Sequence, residues 1–206
     1  DEASAAPFRL EATTHYLYQA TARACIAGLG EARAVAVMRE PAARVFSSFR
    51  YTANNRARLA RDLTFASYLE LVERGESLYP RWCRDRRSAY VLEREVDQSR
   101  YLGHLVPWLD ALGADRLRVV LFEDLRARPL GVVADLLAWL GLDPGRLGEI
   151  DAAGRNRTVE IRHRALQRAA VWMNGRLRLP APVRSLMKRG YGALQYAPPA
   201  APSSAD

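Results

Sequence analysis

The stretch Ala34-Val35-Ala36-Val37-Met38-Arg39-Glu40-Pro41-Ala42-Ala43-Arg44-Val45-Phe46-Ser47 decides how this 206-residue chain is read. Its first five residues are apolar and predict a short buried strand, broken at Arg39-Glu40-Pro41 and followed by a helix. Pro41 suits the first helical turn, because its φ is already helical and its missing N–H would be unpaired there. An arginine therefore falls at the carboxyl end of a strand, with a serine on the first turns of the next helix. Open α/β sheets bind ligands at that place. A guanidinium fork and a hydroxyl beside a helix N-terminus suit a phosphate group. Taken alone, the same residues also fit a surface arginine and a small helix residue, so the neighbouring segments matter.

Downstream, Tyr101, Leu105, Trp108, Leu109 and Leu112 recur three or four apart and predict one apolar helix face, with Gly113 placed to end the helix. Leu117 to Phe122 is a compact apolar run, expected as a strand buried on both faces. Val132, Val133, Leu136, Leu137, Trp139 and Leu140 form a further apolar helix face, closed by Gly141. Strands alternating with helices predict a parallel α/β sheet. Tyr101, Trp108 and Trp139 are expected in the core rather than at a ligand.

The pattern R-x-P-x-x-R-x-x-S, from Arg39 to Ser47, resembles the 3′-phosphate-binding segment of sulfotransferases that use PAPS (3′-phosphoadenosine 5′-phosphosulfate). Further segments resemble that family in the same order. Glu11-Ala12-Thr13-Thr14-His15-Tyr16-Leu17 is similar to its E-A-T-P-x-Y-L segment, with Thr14 in place of the proline. Tyr101 to Leu109 is similar to its Y-x-x-x-L-x-x-W-L helix, and Asp115 to Leu125 to the strand and turn ending in E-D-L. Pro129 to Leu142 matches the helix ending W-L-G-L. The likeness runs over roughly residues 8–145. It implies a three-layer α/β/α fold with a parallel sheet, of the P-loop NTPase-like sulfotransferase kind. The activity it implies is transfer of a sulfuryl group from PAPS to a hydroxyl or amine acceptor, a glycan, lipid or small molecule. That reaction leaves 3′,5′-ADP (PAP) and needs no metal. It further implies that Arg39 and Ser47 hold the 3′-phosphate. Arg155 and Arg157 are the nearest candidates for the C-terminal basic residues with which many of these enzymes close over PAPS.

The family's Gly-rich 5′-phosphosulfate loop, with its lysine, has no counterpart here; the single lysine is Lys188. The expectation is an N-terminally truncated sulfotransferase fold lacking its first strand and loop. The catalytic residue is unknown. His15 has the pKa range for a general base, although its aromatic neighbours Tyr16 and Tyr18 favour a structural role, and Glu11 has a slimmer claim. The alternative reading is a catalytically inactive sulfotransferase-like domain that binds a nucleotide or a glycan.

Composition bounds the rest. At 49% apolar residues, one domain with a sizeable core is expected, over residues 1–195, with a disordered Pro/Ala/Ser tail over 196–206. No apolar run reaches the length of a membrane span. Cys25 and Cys83 show neither metal nor redox spacing. Residues 151–206 hold 10 of the 31 Lys/Arg and 3 of the 23 Asp/Glu, a net +7 of the chain's +8. A solvated amphipathic helix, with Ile161, Leu166, Ala169, Ala170 and Met173 on its apolar side, ranks first for this segment. Contact with an anionic donor or acceptor ranks second, and a membrane surface or nucleic acid last. Arginine's dominance over lysine suggests a GC-rich coding background and a bacterial cytoplasmic setting, with the Golgi lumen as the alternative. Residues 56–87 are expected as a polar insertion whose Arg81, Arg84, Arg86 and Arg87 are solvated or favour an acidic acceptor.

Overall fold

The computed structural model describes residues 8–146 and the backbone of residues 160–161 and 196–197. In chain order the helices and strands are α1 (Ala20–Gly28), β1 (Ala34–Met38), α2 (Pro41–Arg50), α3 (Phe65–Glu73), α4 (Arg86–Gln98), α5 (Tyr101–Leu112), β2 (Leu117–Leu121), α6 (Phe122–Ala127), α7 (Pro129–Trp139), β3 (Glu160–Ile161) and β4 (Tyr196–Ala197). The chain divides into two compact units. One comprises residues 1–40 and 100–150, and the other residues 41–99 and 151–206.

In the first unit β1 and β2 pair in parallel, from Ala34 opposite Leu117 to Met38 opposite Leu121. Both expected strands are therefore present, and parallel. Among the described residues the sheet that they form has two strands. This limits burial: Val120 is 8% exposed, but Val119 and Leu121 remain 42% and 51% exposed. The expectations of a buried β1 and of a β2 buried on both faces are not met: Val35 and Val37 are likewise 43% and 56% exposed, and among the described residues no third strand flanks the pair. Helix α5 ends at Gly113, whose φ of 76° and ψ of 166° belong to a region open to glycine, and whose N–H donates to Leu109 O at 2.8 Å. Of the expected apolar face, Trp108 and Leu112 are buried while Leu109 is 45% exposed. The Trp108 indole N–H donates to Leu17 O at 2.9 Å, which ties the Tyr16–Tyr18 turn to α5. Pro129 opens α7, and Gly141 (φ 76°) closes it with N–H bonds to Ala138 O and, from Leu142, to Leu137 O.

The second unit holds a core of Val45, Phe49, Ala53, Leu59, Leu63, Tyr68, Leu78, Cys83, Ala89 and Leu92. Half of these lie within residues 56–87, so that segment is not a polar insertion but a main contributor to this unit's core. Phe65, Tyr68, Leu69 and Val72 do recur at helical spacing and form α3, whereas Leu59, Leu63, Leu78 and Cys83 come at irregular spacing among charged residues. Around them, Phe49 and Phe65 pack on Tyr68 at ring-centroid distances of 5.2 and 5.8 Å. Helix α4 starts at Asp85, whose carboxylate accepts from Ser88 N–H at 2.9 Å in the N-cap geometry. It buries Ser88, Ala89, Leu92 and Glu95 and leaves Arg86, Arg87, Tyr90 and Arg94 exposed.

Strands β3 and β4 pair antiparallel, Glu160 opposite Ala197 and Ile161 opposite Tyr196. Ile161, expected on a helix, is thus in a short strand, and the first two residues of the expected tail are paired. The remainder of that tail and of the expected basic helix lie outside the described residues. No helix among the described residues is long and apolar enough to cross a membrane.

Candidate nucleotide-binding site

The parallel ladder ends with Met38 opposite Leu121, leaving the backbone of Arg39 one step beyond its last rung. Tyr101, the first residue of α5, takes over there. Its hydroxyl donates to Arg39 O at 2.9 Å and accepts from Arg39 N–H at 3.4 Å. The next N–H, of Glu40, donates to Glu123 Oε1 at 3.2 Å. The Arg39 guanidinium lies over the Phe122 ring, its centre 5.3 Å from the ring centroid. Phe122 and Glu123 open α6 directly after β2, so the register that pairs Met38 with Leu121 also brings them to the turn. Tyr101, expected as a core residue, is half-buried and serves as a polar clamp on this turn.

Among the described residues, Arg39 makes no ion pair, and no guanidinium N–H of it is hydrogen-bonded. The side chain is thus held by stacking while its fork of donors stays uncommitted.

In the second unit, α2 starts at Pro41 as expected and carries the other two residues of the motif. Arg44 does not reach outward. Its Nη1 lies 2.6 Å from Glu95 Oε2, 3.1 Å from Glu95 O and 2.8 Å from Ser99 Oγ. Ser48 Oγ donates to Glu95 Oε1 at 2.8 Å. Arg44 and Ser48 therefore bind α2 to α4 through a carboxylate that is only 6% exposed. Ser47, the neighbouring serine, is half-buried and has no side-chain hydrogen bond among the described residues. Arg39 belongs to the first unit and Ser47 to the second. Arg155 and Arg157 lie outside the described residues.

Burial raises the pKa of Tyr68, the Glu95 charge adds to it, and Arg44 opposes it. The Tyr68 hydroxyl donates to Leu92 O at 2.8 Å inside this core. Burial also pushes the Cys83 thiol up, whereas Cys25 is exposed. Burial alone would raise Asp85 as well. The N–H and hydroxyl of Ser88, with Arg58 at 3.5 Å, outweigh it and hold that carboxyl below its ordinary value.

His15 is exposed and meets Tyr18 at a centroid distance of 6.5 Å; Tyr18 in turn meets His104 edge-on at 4.9 Å. Glu11 is exposed and accepts a hydrogen bond from Thr13 Oγ1. Arg81, Arg84, Arg86 and Arg87 are exposed and form no ion pair among the described residues, with Arg81 stacked on Trp82 and Arg86 on Tyr79. The sequence signal for the Tyr101 clamp was its place in the tyrosine-led helix; that its hydroxyl meets the Arg39 backbone depends on strand register.

No family model matches the chain, and no curated protein does either. Among solved structures, a sulfotransferase from Alicyclobacillus acidocaldarius is similar, with a TM-score of 0.50 and 18% sequence identity over 87% of this chain. This chain spans 58% of the length of that structure. The likeness is one of fold: a sulfotransferase-like α/β arrangement.

Proposed function

We propose that the chain carries the nucleotide-binding part of a sulfotransferase, taking its sulfuryl group from PAPS for a hydroxyl or amine acceptor. Arg39 carries the reading: a guanidinium held at the carboxyl end of a parallel strand, with its N–H donors uncommitted. A planar fork of that kind suits a phosphate dianion. Arg39 and Ser47 both stand in the segment that resembles the family's 3′-phosphate site, and the fold shared with a solved sulfotransferase supports the same reading. In this reading Arg39 and Ser47 select a 3′-phosphorylated nucleotide over ATP-like ones, and Arg155 and Arg157 add positive charge around it. PAPS supplies the activated sulfuryl group when bound. The protein's share is to bind it and to stabilise negative charge on the leaving phosphate. No residue is assigned as catalytic base.

The test is binding of 3′,5′-ADP and 5′-AMP, by calorimetry, to the 206-residue chain and to Arg39→Ala. The expected result is tighter binding of 3′,5′-ADP. Arg39→Ala should weaken it about 10- to 100-fold, the worth of charge-assisted hydrogen bonds, and leave 5′-AMP nearly unaffected. Equal losses for both ligands would remove Arg39 from the role. Selective binding without sulfuryl transfer to any acceptor would favour a nucleotide-binding domain that is catalytically inactive.

A further inference from the structure

We infer that Tyr101, with Glu123, is a positioning residue that sets the affinity of Arg39 for the 3′-phosphate; this rests on the nucleotide reading above. Three observations within one unit carry it. The last rung of the ladder pairs Met38 with Leu121, so Arg39 and Glu40 lie just beyond it. Tyr101 Oη engages both the C=O and the N–H of Arg39, and Glu123 Oε1 engages the N–H of Glu40. The Arg39 guanidinium rests over Phe122, the residue between β2 and Glu123, without ion-pair partners among the described residues.

Each contact restrains a different part of the arginine. The tyrosine hydroxyl restrains ψ and φ at the residue that carries the guanidinium, the glutamate restrains the following peptide plane, and the ring restrains the side-chain direction. An arginine on an unrestrained turn must lose backbone and rotamer freedom when it captures an anion, and that loss weakens binding. A restrained arginine has lost it on folding. Neither Tyr101 nor Glu123 needs to touch the ligand. Their effect should therefore follow the phosphate that Arg39 binds, and not the nucleotide as a whole.

The experiment compares 3′,5′-ADP and 5′-AMP binding to the full chain, Tyr101→Phe, Glu123→Ala and Arg39→Ala, with thermal unfolding of each variant. Tyr101→Phe keeps the ring and removes only the hydroxyl, and Glu123 is exposed, so at least one of the two should fold. The expected result is about a five- to tenfold loss of 3′,5′-ADP affinity for each, the worth of one ordinary hydrogen bond. Binding of 5′-AMP should stay within about twofold, and Arg39→Ala should lose the preference altogether. A merely structural role would lower the unfolding temperature and leave the ratio of the two affinities unchanged. An unchanged ratio in both Tyr101→Phe and Glu123→Ala, beside a lost preference in Arg39→Ala, would overturn the positioning role alone. An unchanged ratio in Arg39→Ala would overturn the nucleotide reading, and the inference with it.

Discussion

Removing Glu95 should cost the second unit about as much stability as truncating one of its large core side chains. The carboxylate is 6% exposed and its partner Arg44 has a side chain 22% exposed, so both charges are largely out of water. Arg44 Nη1 has two hydrogens and three acceptors within 3.1 Å, so the approach to Oε2 is chiefly a charge contact and not an aligned hydrogen bond. Charges about 4 Å apart attract by about 4 kcal/mol at an effective dielectric of ~20. Glu95→Ala deletes that attraction, leaves the arginine charge with only neutral acceptors such as the residue-95 carbonyl and Ser99 Oγ to replace it, and frees Ser48 Oγ from its acceptor. Breaking a buried pair from one side typically costs about 3–5 kcal/mol. That range corresponds to a fall in midpoint temperature of roughly 6–20 °C for a domain of this size. Replacing both partners together, Arg44→Met with Glu95→Leu, removes both charges and should recover most of the loss, because the desolvation cost disappears too. Urea unfolding followed by far-ultraviolet circular dichroism gives the three values. A loss below about 1 kcal/mol for Glu95→Ala would refute the reasoning, since a pair of that value belongs to a solvated surface. So would a double variant as unstable as the single one.

Asp85 should make α4 acid-sensitive. Its folded pKa is held below the ordinary value, so the stability it adds is present above the unfolded pKa near 3.8 and is lost as pH falls through the still lower folded pKa. The stability gap between the wild type and Asp85→Asn, which still caps but does not titrate, should therefore close below about pH 4 in urea titrations; a gap constant down to pH 2 would contradict this. Two glycines with open space around a built-in Cβ should respond in opposite directions. Gly113→Ala forces a side chain into φ 76°, ψ 166° and should destabilise by about 1–3 kcal/mol, whereas Gly103→Ala, inside helix α5, should stabilise by about 0.5–1 kcal/mol. Equal effects on thermal unfolding would show that backbone conformation is not what separates the two positions.

The sequence alone determined those features whose cause is local. The break at Arg39-Glu40-Pro41 was legible because proline and strand propensity act on adjacent residues. Gly113 and Gly141 announced the ends of α5 and α7, because only glycine takes their backbone conformation without strain. Alternation of strand and helix was enough to expect parallel pairing, which β1 and β2 show. Tertiary structure decided whatever depends on residues far apart in the chain. Leu59, Leu63, Tyr68, Leu78 and Cys83 become a core only when α2 and α4 lie beside them, so residues 56–87 looked polar in one dimension. Arg44 belongs to the phosphate-like motif by spacing, yet a buried carboxylate 51 positions away draws it inward, and no local pattern announces such a partner. The uncommitted state of Arg39 and the Tyr101 hydroxyl on its backbone likewise follow from strand register, which brings residues 62 positions apart to within 3 Å. Residue type set what each of these side chains can bind; the fold alone decided which of them are left with donors to offer.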